Sequence, residues 1–74
     1  MARVLHVFKG THAAEAVAVI TPQLAAGDEV TLALIGGATA PPLPAGVTVK
    51  SVPADASYDR LLELIFEADH VVSW

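Results

Sequence analysis

No residue of this chain is a cysteine, and in a protein this small that absence decides more than any motif. A domain of this size buries only about 60% of the surface its unfolded chain exposes. Many close the shortfall with disulfides, a structural metal or a partner. Without thiols the first route is closed, and with it any persulfide or thiolate chemistry on the chain itself. The second finds no support, because the three histidines stand far apart at positions 6, 12 and 70, unlike the close ligand spacing of zinc sites. Association is the route that remains. The composition fits it: 54% of the 74 residues are hydrophobic and only 16% are charged, where about 25% charged is usual. One domain with one core is expected across residues 1–74.

Charge narrows the partners. The formal net charge is −4, and the four basic residues, Arg3, Lys9, Lys50 and Arg60, are scattered with no basic stripe, which argues against direct nucleic-acid binding. No apolar run approaches the roughly 18 residues of a membrane span. The opening residues Met1–His6 enter a strand pattern at once, without the apolar core of a secretion signal. The expected setting is therefore cytoplasmic, with no membrane contact.

Hydrophobic patterning predicts six elements. Residues 3–9 (RVLHVFK) form a buried strand around one histidine. Lys9-Gly10-Thr11-His12 breaks it, with Thr11 expected to cap a helix that begins at Ala13. Val17, Ile20 and Leu24 recur at helical steps, Pro22 is expected to kink or divide that helix, Thr21 to cap the second piece, and Gly27 to end it. Residues 29–35 (EVTLALI) read as a central strand stopped by Gly36-Gly37. The next stretch carries three of the five prolines and cannot be helical across its middle. Residues 47–52 (VTVKSV) alternate as an edge strand, with Thr48, Lys50 and Val52 on one side. Ser57 caps a helix over 58–68, whose apolar stripe is Tyr58, Leu61, Leu62, Ile65 and Phe66, and 70–73 form a last short strand.

Two strand–helix–strand units joined by a loop predict an α/β/α domain whose four-stranded sheet is predominantly parallel and ordered 3-2-1-4. The proline-rich join is too short for a covering helix, so one face near the second and third strands is expected to be thinly covered. The second helix points the same way. Its polar residues Asp59, Arg60, Glu63 and Glu67 crowd into an arc of about 100°, and Leu61 and Leu64 widen the apolar arc beyond what one sheet needs. An intersubunit contact and an isolated exposed leucine both fit that pattern.

The segment Ser57-Tyr58-Asp59-Arg60-Leu61-Leu62, continuing to Ala68-Asp69-His70-Val71-Val72-Ser73-Trp74, resembles the C-terminus of the DsrH/TusB family. There a tyrosine, an aspartate and an apolar helix lead to a short strand and a terminal tryptophan. Val4-Leu5-His6-Val7 resembles the family's first strand, Gly27-Asp28-Glu29-Val30 its lead into the second, and Gly46–Val49 with Val52–Asp55 its third strand and following turn. Two features depart. Pro41-Pro42-Leu43-Pro44 stands where the family has a helix, and the chain passes from Asp55 almost directly to Ser57, without a further strand. The resemblance, to a trimmed member, implies a cysteine-free, non-catalytic subunit of a sulfur-relay complex of the tRNA 2-thiolation or sulfur-oxidation type. It implies DsrE/DsrF-like (TusD/TusC-like) partners that carry the persulfide, with homo-oligomerisation as the alternative.

The residues themselves offer two sites. Lys9, Gly10, Thr11 and His12 lie where a strand meets a helix N-terminus, and Gly36 and Gly37 close the neighbouring strand, so the six would face one anion-binding crevice. No nucleotide-binding glycine motif accompanies them, and a tight turn with a helix cap is the simpler reading. Tyr58, Leu61, Leu64 and Trp74 are the candidate interface, with Trp74 equally suited to packing on its own sheet. His6 is expected to be a buried neutral histidine. Asp55 and Asp59 read as a turn residue and a helix-dipole partner rather than as a catalytic pair. No nucleophile has an adjacent base. Neither a metal nor a cofactor is expected.

Overall fold

The computed structural model describes residues 1–74. Its elements are β1 (Arg3–Phe8), α1 (Ala13–Ala25), β2 (Glu29–Leu34), β3 (Thr48–Ser51), α2 (Tyr58–Glu67) and β4 (His70–Ser73). The four strands form one sheet in the order β3-β2-β1-β4, and every pairing is parallel. The short strands β3 and β4 therefore have unpaired outer edges. Arg3 pairs with Glu29, Leu5 with Thr31 and Val71, and Thr31 with Thr48. Because paired residues point the same way and successive ones alternate, this register sorts each strand between two faces.

On the α1 face, Phe8, Val30, Leu32 and Leu34 meet the buried Ala16 and Ile20 of α1. Trp74 and the half-buried Ala38, Ala40, Leu43 and Val47 pack around them. The prolines of the β2–β3 join prevent a helix there, yet its alanines and leucine still reach the core. The join thus covers that side without a helix. On the α2 face the buried cluster is smaller: Leu5, Ala33 and Val52, with Val7, Ile35, Leu61, Leu64, Ile65 and Ala68 against it. No residue of α2 is fully buried. Four strands about 4.8 Å apart are wider than one helix of about 10 Å, and outside α2 only Ile35, Val52 and Ala68 add to the cover of this face. The thin cover thus lies under α2.

Three local expectations need correction. Thr11 does not cap α1; His12 holds that position at φ 61°, ψ 37°, and no side chain caps the helix. Histidine is among the few non-glycine residues enriched in that left-handed region. Nor does Pro22 divide α1, which runs unbroken from Ala13 to Ala25. Thr21 lies inside the helix and its Oγ1 donates to the Val17 carbonyl at 2.9 Å, the back-bonding typical of a mid-helix threonine. Finally, α2 ends at Glu67, one residue short of the expected span. Its start is as read: Ser57 Oγ accepts from the Arg60 amide at 3.1 Å, satisfying one of the orphan donors of the first turn.

Candidate functional site

The predicted anion crevice is assembled but not hollow. Gly10 and the segment after Gly37 are neighbours, since a Cβ on Gly10 would stand 3.7 Å from the Ala38 Cβ. Gly10, Gly36 and Gly37 have φ of 102°, 62° and 74°, which explains glycine at all three positions. Lys9, Gly10, Thr11, His12, Gly36 and Gly37 are all exposed, and none lines a cleft. His12 Nδ1 lies 4.0 Å from Glu15 Oε2 in an exposed pair. The geometry is that of two adjoining turns.

At the other candidate site the structure changes which residues face outward. Leu61 and Leu64 are turned onto the chain's own sheet. The large apolar side chains that α2 leaves open are Tyr58, Leu62 and Phe66, at 60%, 54% and 86% exposure. Their spacing of four residues sets them in one row along the helix, about 6 Å apart. Val71 on the edge strand β4 is also exposed, and its pairing with Leu5 puts it on the same face of the sheet as α2.

Trp74 is not free for a partner. Its amide donates to the Val7 carbonyl at 2.9 Å, and its indole Nε1 donates to His6 Nδ1 at 2.9 Å. The rings are near parallel, 13° apart in plane with centroids 6.1 Å apart, so the bond joins them edge to edge. His6 is fully buried, and its Nε2 meets Gln23 Oε1 of α1 at 2.7 Å. Indole can only donate, so Nδ1 accepts and Nε2 carries the proton toward Gln23. The neutral tautomer is thereby set by its neighbours, and both ring nitrogens are satisfied. Such a closed polar network belongs to a core rather than to a catalyst.

The carboxylates are engaged in the same structural way. Asp69 Oδ2 accepts from the Arg3 amide at 2.8 Å, Asp28 Oδ1 from the Ala2 amide at 3.2 Å, and Asp55 Oδ2 from the Ser51 amide at 2.8 Å. No three histidine, aspartate or glutamate side chains gather as a metal-holding group.

One concave site was not foreseen. Between α2 and the N-terminal halves of the strands lies a cleft of about 330 Å³, within the range of small-molecule sites. Its floor includes Leu5, Thr31, Thr48 and Lys50, and its wall Arg60 and Leu64 of α2 with Ala68 just past the helix. Arg3, Glu29 and Glu67 rim it. Three of the chain's four basic residues thus converge on one cleft of an acidic protein. Arg3 pairs with Glu29 at 3.4 Å. Arg60 Nη1 donates to Glu63 Oε2 at 2.9 Å and to Glu67 Oε1 at 3.4 Å. Those bonds, that to Glu63 first, hold the Arg60 guanidinium above its ordinary value, though such exposed pairs contribute little to stability. Lys50 has no ion-pair partner. Positions 3, 31, 48, 50 and 60 show no grouping along the chain; only the strand order brings them together. The period-two alternation of 47–52, which puts Thr48 and Lys50 on one side, was the available signal.

Fold and site together define a small all-parallel α/β domain whose α1 face carries the larger buried core and whose α2 face is partly open. No helix is long and apolar enough to cross a membrane. Comparison with protein-family models, with curated proteins and with solved structures finds no match to this chain.

Proposed function

We propose that this chain works by association, as a cysteine-free, non-catalytic subunit of a sulfur-relay assembly whose persulfide cysteine sits on a DsrE/DsrF-like partner. The observation that carries the association is the exposed row Tyr58, Leu62 and Phe66 on α2. Apolar side chains in a row on a small domain are characteristic of contact surfaces, and tyrosine and phenylalanine are enriched at the centres of such surfaces. A standard interface takes about 800 Å² from each partner, about a fifth of the 4288 Å² that this chain exposes. The row, the outer flank of α2 and the free edge of β4 form a surface suited to that task. The relay assignment rests on the resemblance of Val4–Val7, Gly27–Val30 and Ser57–Trp74 to the DsrH/TusB pattern, and the absent cysteine is compatible with a scaffold but not with a carrier.

The test is recovery of N-terminally tagged protein from its own cells, followed by mass spectrometry and light scattering of what co-purifies. Stoichiometric DsrE-like subunits with a cysteine, lost on Phe66→Glu while the variant's unfolding midpoint is kept, is the expected result. Recovery of the chain alone, as a monomer or a defined homo-oligomer, would overturn the relay reading.

A further inference from the structure

We infer that the cleft beneath α2 is a binding site for a small organic monocarboxylate, with its carboxylate on Lys50 and its apolar part against Leu5 and Leu64. This inference stands apart from the association reading, since it uses the opposite side of α2 from the row Tyr58, Leu62 and Phe66.

Charge selects the ligand. The lining carries three cations and two carboxylates, a net single positive charge in a chain of net −4. Arg3 and Arg60 already have carboxylate partners, so the unpaired cation is Lys50. A monoanion matches that charge, whereas a phosphate dianion would exceed it. Hydrogen bonding agrees. Thr31 and Thr48 are cross-strand partners, and neither hydroxyl is used in a hydrogen bond within the chain. Lys50 lies two residues beyond Thr48 on the same face of the sheet, a rise of about 7 Å. One ammonium and two hydroxyls can therefore serve the two oxygens of one carboxylate, which as an ion accepts only.

The fold explains why these donors stand open. On the α1 face the inward positions of β1 and β2 are buried beneath α1 and the β2–β3 join. On the α2 face Ala33 of β2 is closed over in the cluster with Val52, whereas the neighbouring inward positions Thr31, Thr48 and Lys50 are polar and not buried. Leu5 on the floor and Leu64 in the wall then offer an apolar surface beside the donors, the mixture of apolar walls and few polar groups typical of ligand sites.

Amide chemical shifts of the isotope-labelled full chain, titrated with phenylacetate and separately with its neutral isostere phenylacetamide, decide the matter. Phenylacetate is expected to give saturable shifts centred on Thr31, Thr48, Lys50 and Leu64, with phenylacetamide at least tenfold weaker. Lys50→Met should weaken phenylacetate at least tenfold, and Thr48→Val, which keeps a β-branched strand residue, several-fold. Equal binding of the two probes overturns the inference, as do shifts centred on Lys9–His12. So does the absence of saturable shifts at about 10 mM probe, well above a millimolar Kd. The comparison of probes reads out on the unaltered protein, so the result does not depend on either variant folding.

Discussion

The two faces of the sheet are built from the same four strands, yet they do different work. On the α1 side β1 and β2 present Val4, His6, Phe8, Val30, Leu32 and Leu34, all buried, and a helix plus a proline-rich segment close over them. On the α2 side the buried strand residues are Leu5 and Ala33, joined by Val52 just past β3, and the helix above them buries no residue fully. The first face is where the domain is held together. The second carries the surplus: an apolar row turned outward and a charged cleft turned inward. Uneven cover in a small α/β domain thus separates the surface that stabilises from the surface that is free to bind.

Core truncation on the two faces gives the largest test of that contrast. Ile20→Ala removes a fully buried side chain from the α1 face, and such changes cost about 2–5 kcal/mol. For 74 residues the whole stability is about 4–11 kcal/mol, so this variant should be near or past the limit of folding. Leu61→Ala, on the half-buried α2 face, should cost about 1–2 kcal/mol, because the site opens to solvent and leaves no closed cavity. Urea unfolding of the two variants measures the difference directly. Equal losses would mean that α2 is as much a part of the core as α1, and the division of labour would fail.

A smaller effect probes the polar link inside the stable face. Trp74→Phe keeps an aromatic ring but removes the donor to His6 Nδ1, leaving a buried acceptor unpaired at a cost of about 1–3 kcal/mol. The loss should appear in urea unfolding, and the His6 ring nitrogen signals should report the lost bond. An unchanged midpoint would show that water takes the place of the indole. Smaller again is Ser57→Ala, which removes the cap of α2 and should lower the unfolding free energy by about 1 kcal/mol.

How far the fold could be read in advance follows from range. Strand order, parallel pairing and the start of α2 depend on local periodicity, crossover handedness and a capping serine, and all were legible. The cap of α1 was not, because Thr11 and His12 differ by one position and the outcome turns on a left-handed backbone at His12. Pro22 misled for a related reason: a proline costs one hydrogen bond, and the packing of Ala16 and Ile20 outweighs that loss. In α2 the 3.6-residue period identified the apolar residues but could not say which of them the sheet would use. That period sets Tyr58, Leu61, Leu62, Ile65 and Phe66 in one stripe, yet the sheet takes Leu61, Leu64 and Ile65 and leaves Tyr58, Leu62 and Phe66 outside. The cleft was out of reach because Arg3, Lys50 and Arg60 meet only once β3 and α2 are set on the same side of β1 and β2.

The smallest effect on stability carries the most information about the open face. Phe66 is 86% exposed, and surface substitutions away from packing usually change stability by no more than about 0.5 kcal/mol. Phe66→Ser should therefore leave the urea midpoint in place and reduce any self-association seen by sedimentation, since it removes the most exposed aromatic from the row. A fall of about 2 kcal/mol instead would mean that the ring packs on its own domain in solution. The row Tyr58, Leu62 and Phe66 would then belong to the core, and the two faces of the sheet would be more alike than their burial suggests. Paired with Leu61→Ala, which alters the sheet-facing side of the same helix, the measurement separates what α2 contributes to folding from what it holds available to a partner.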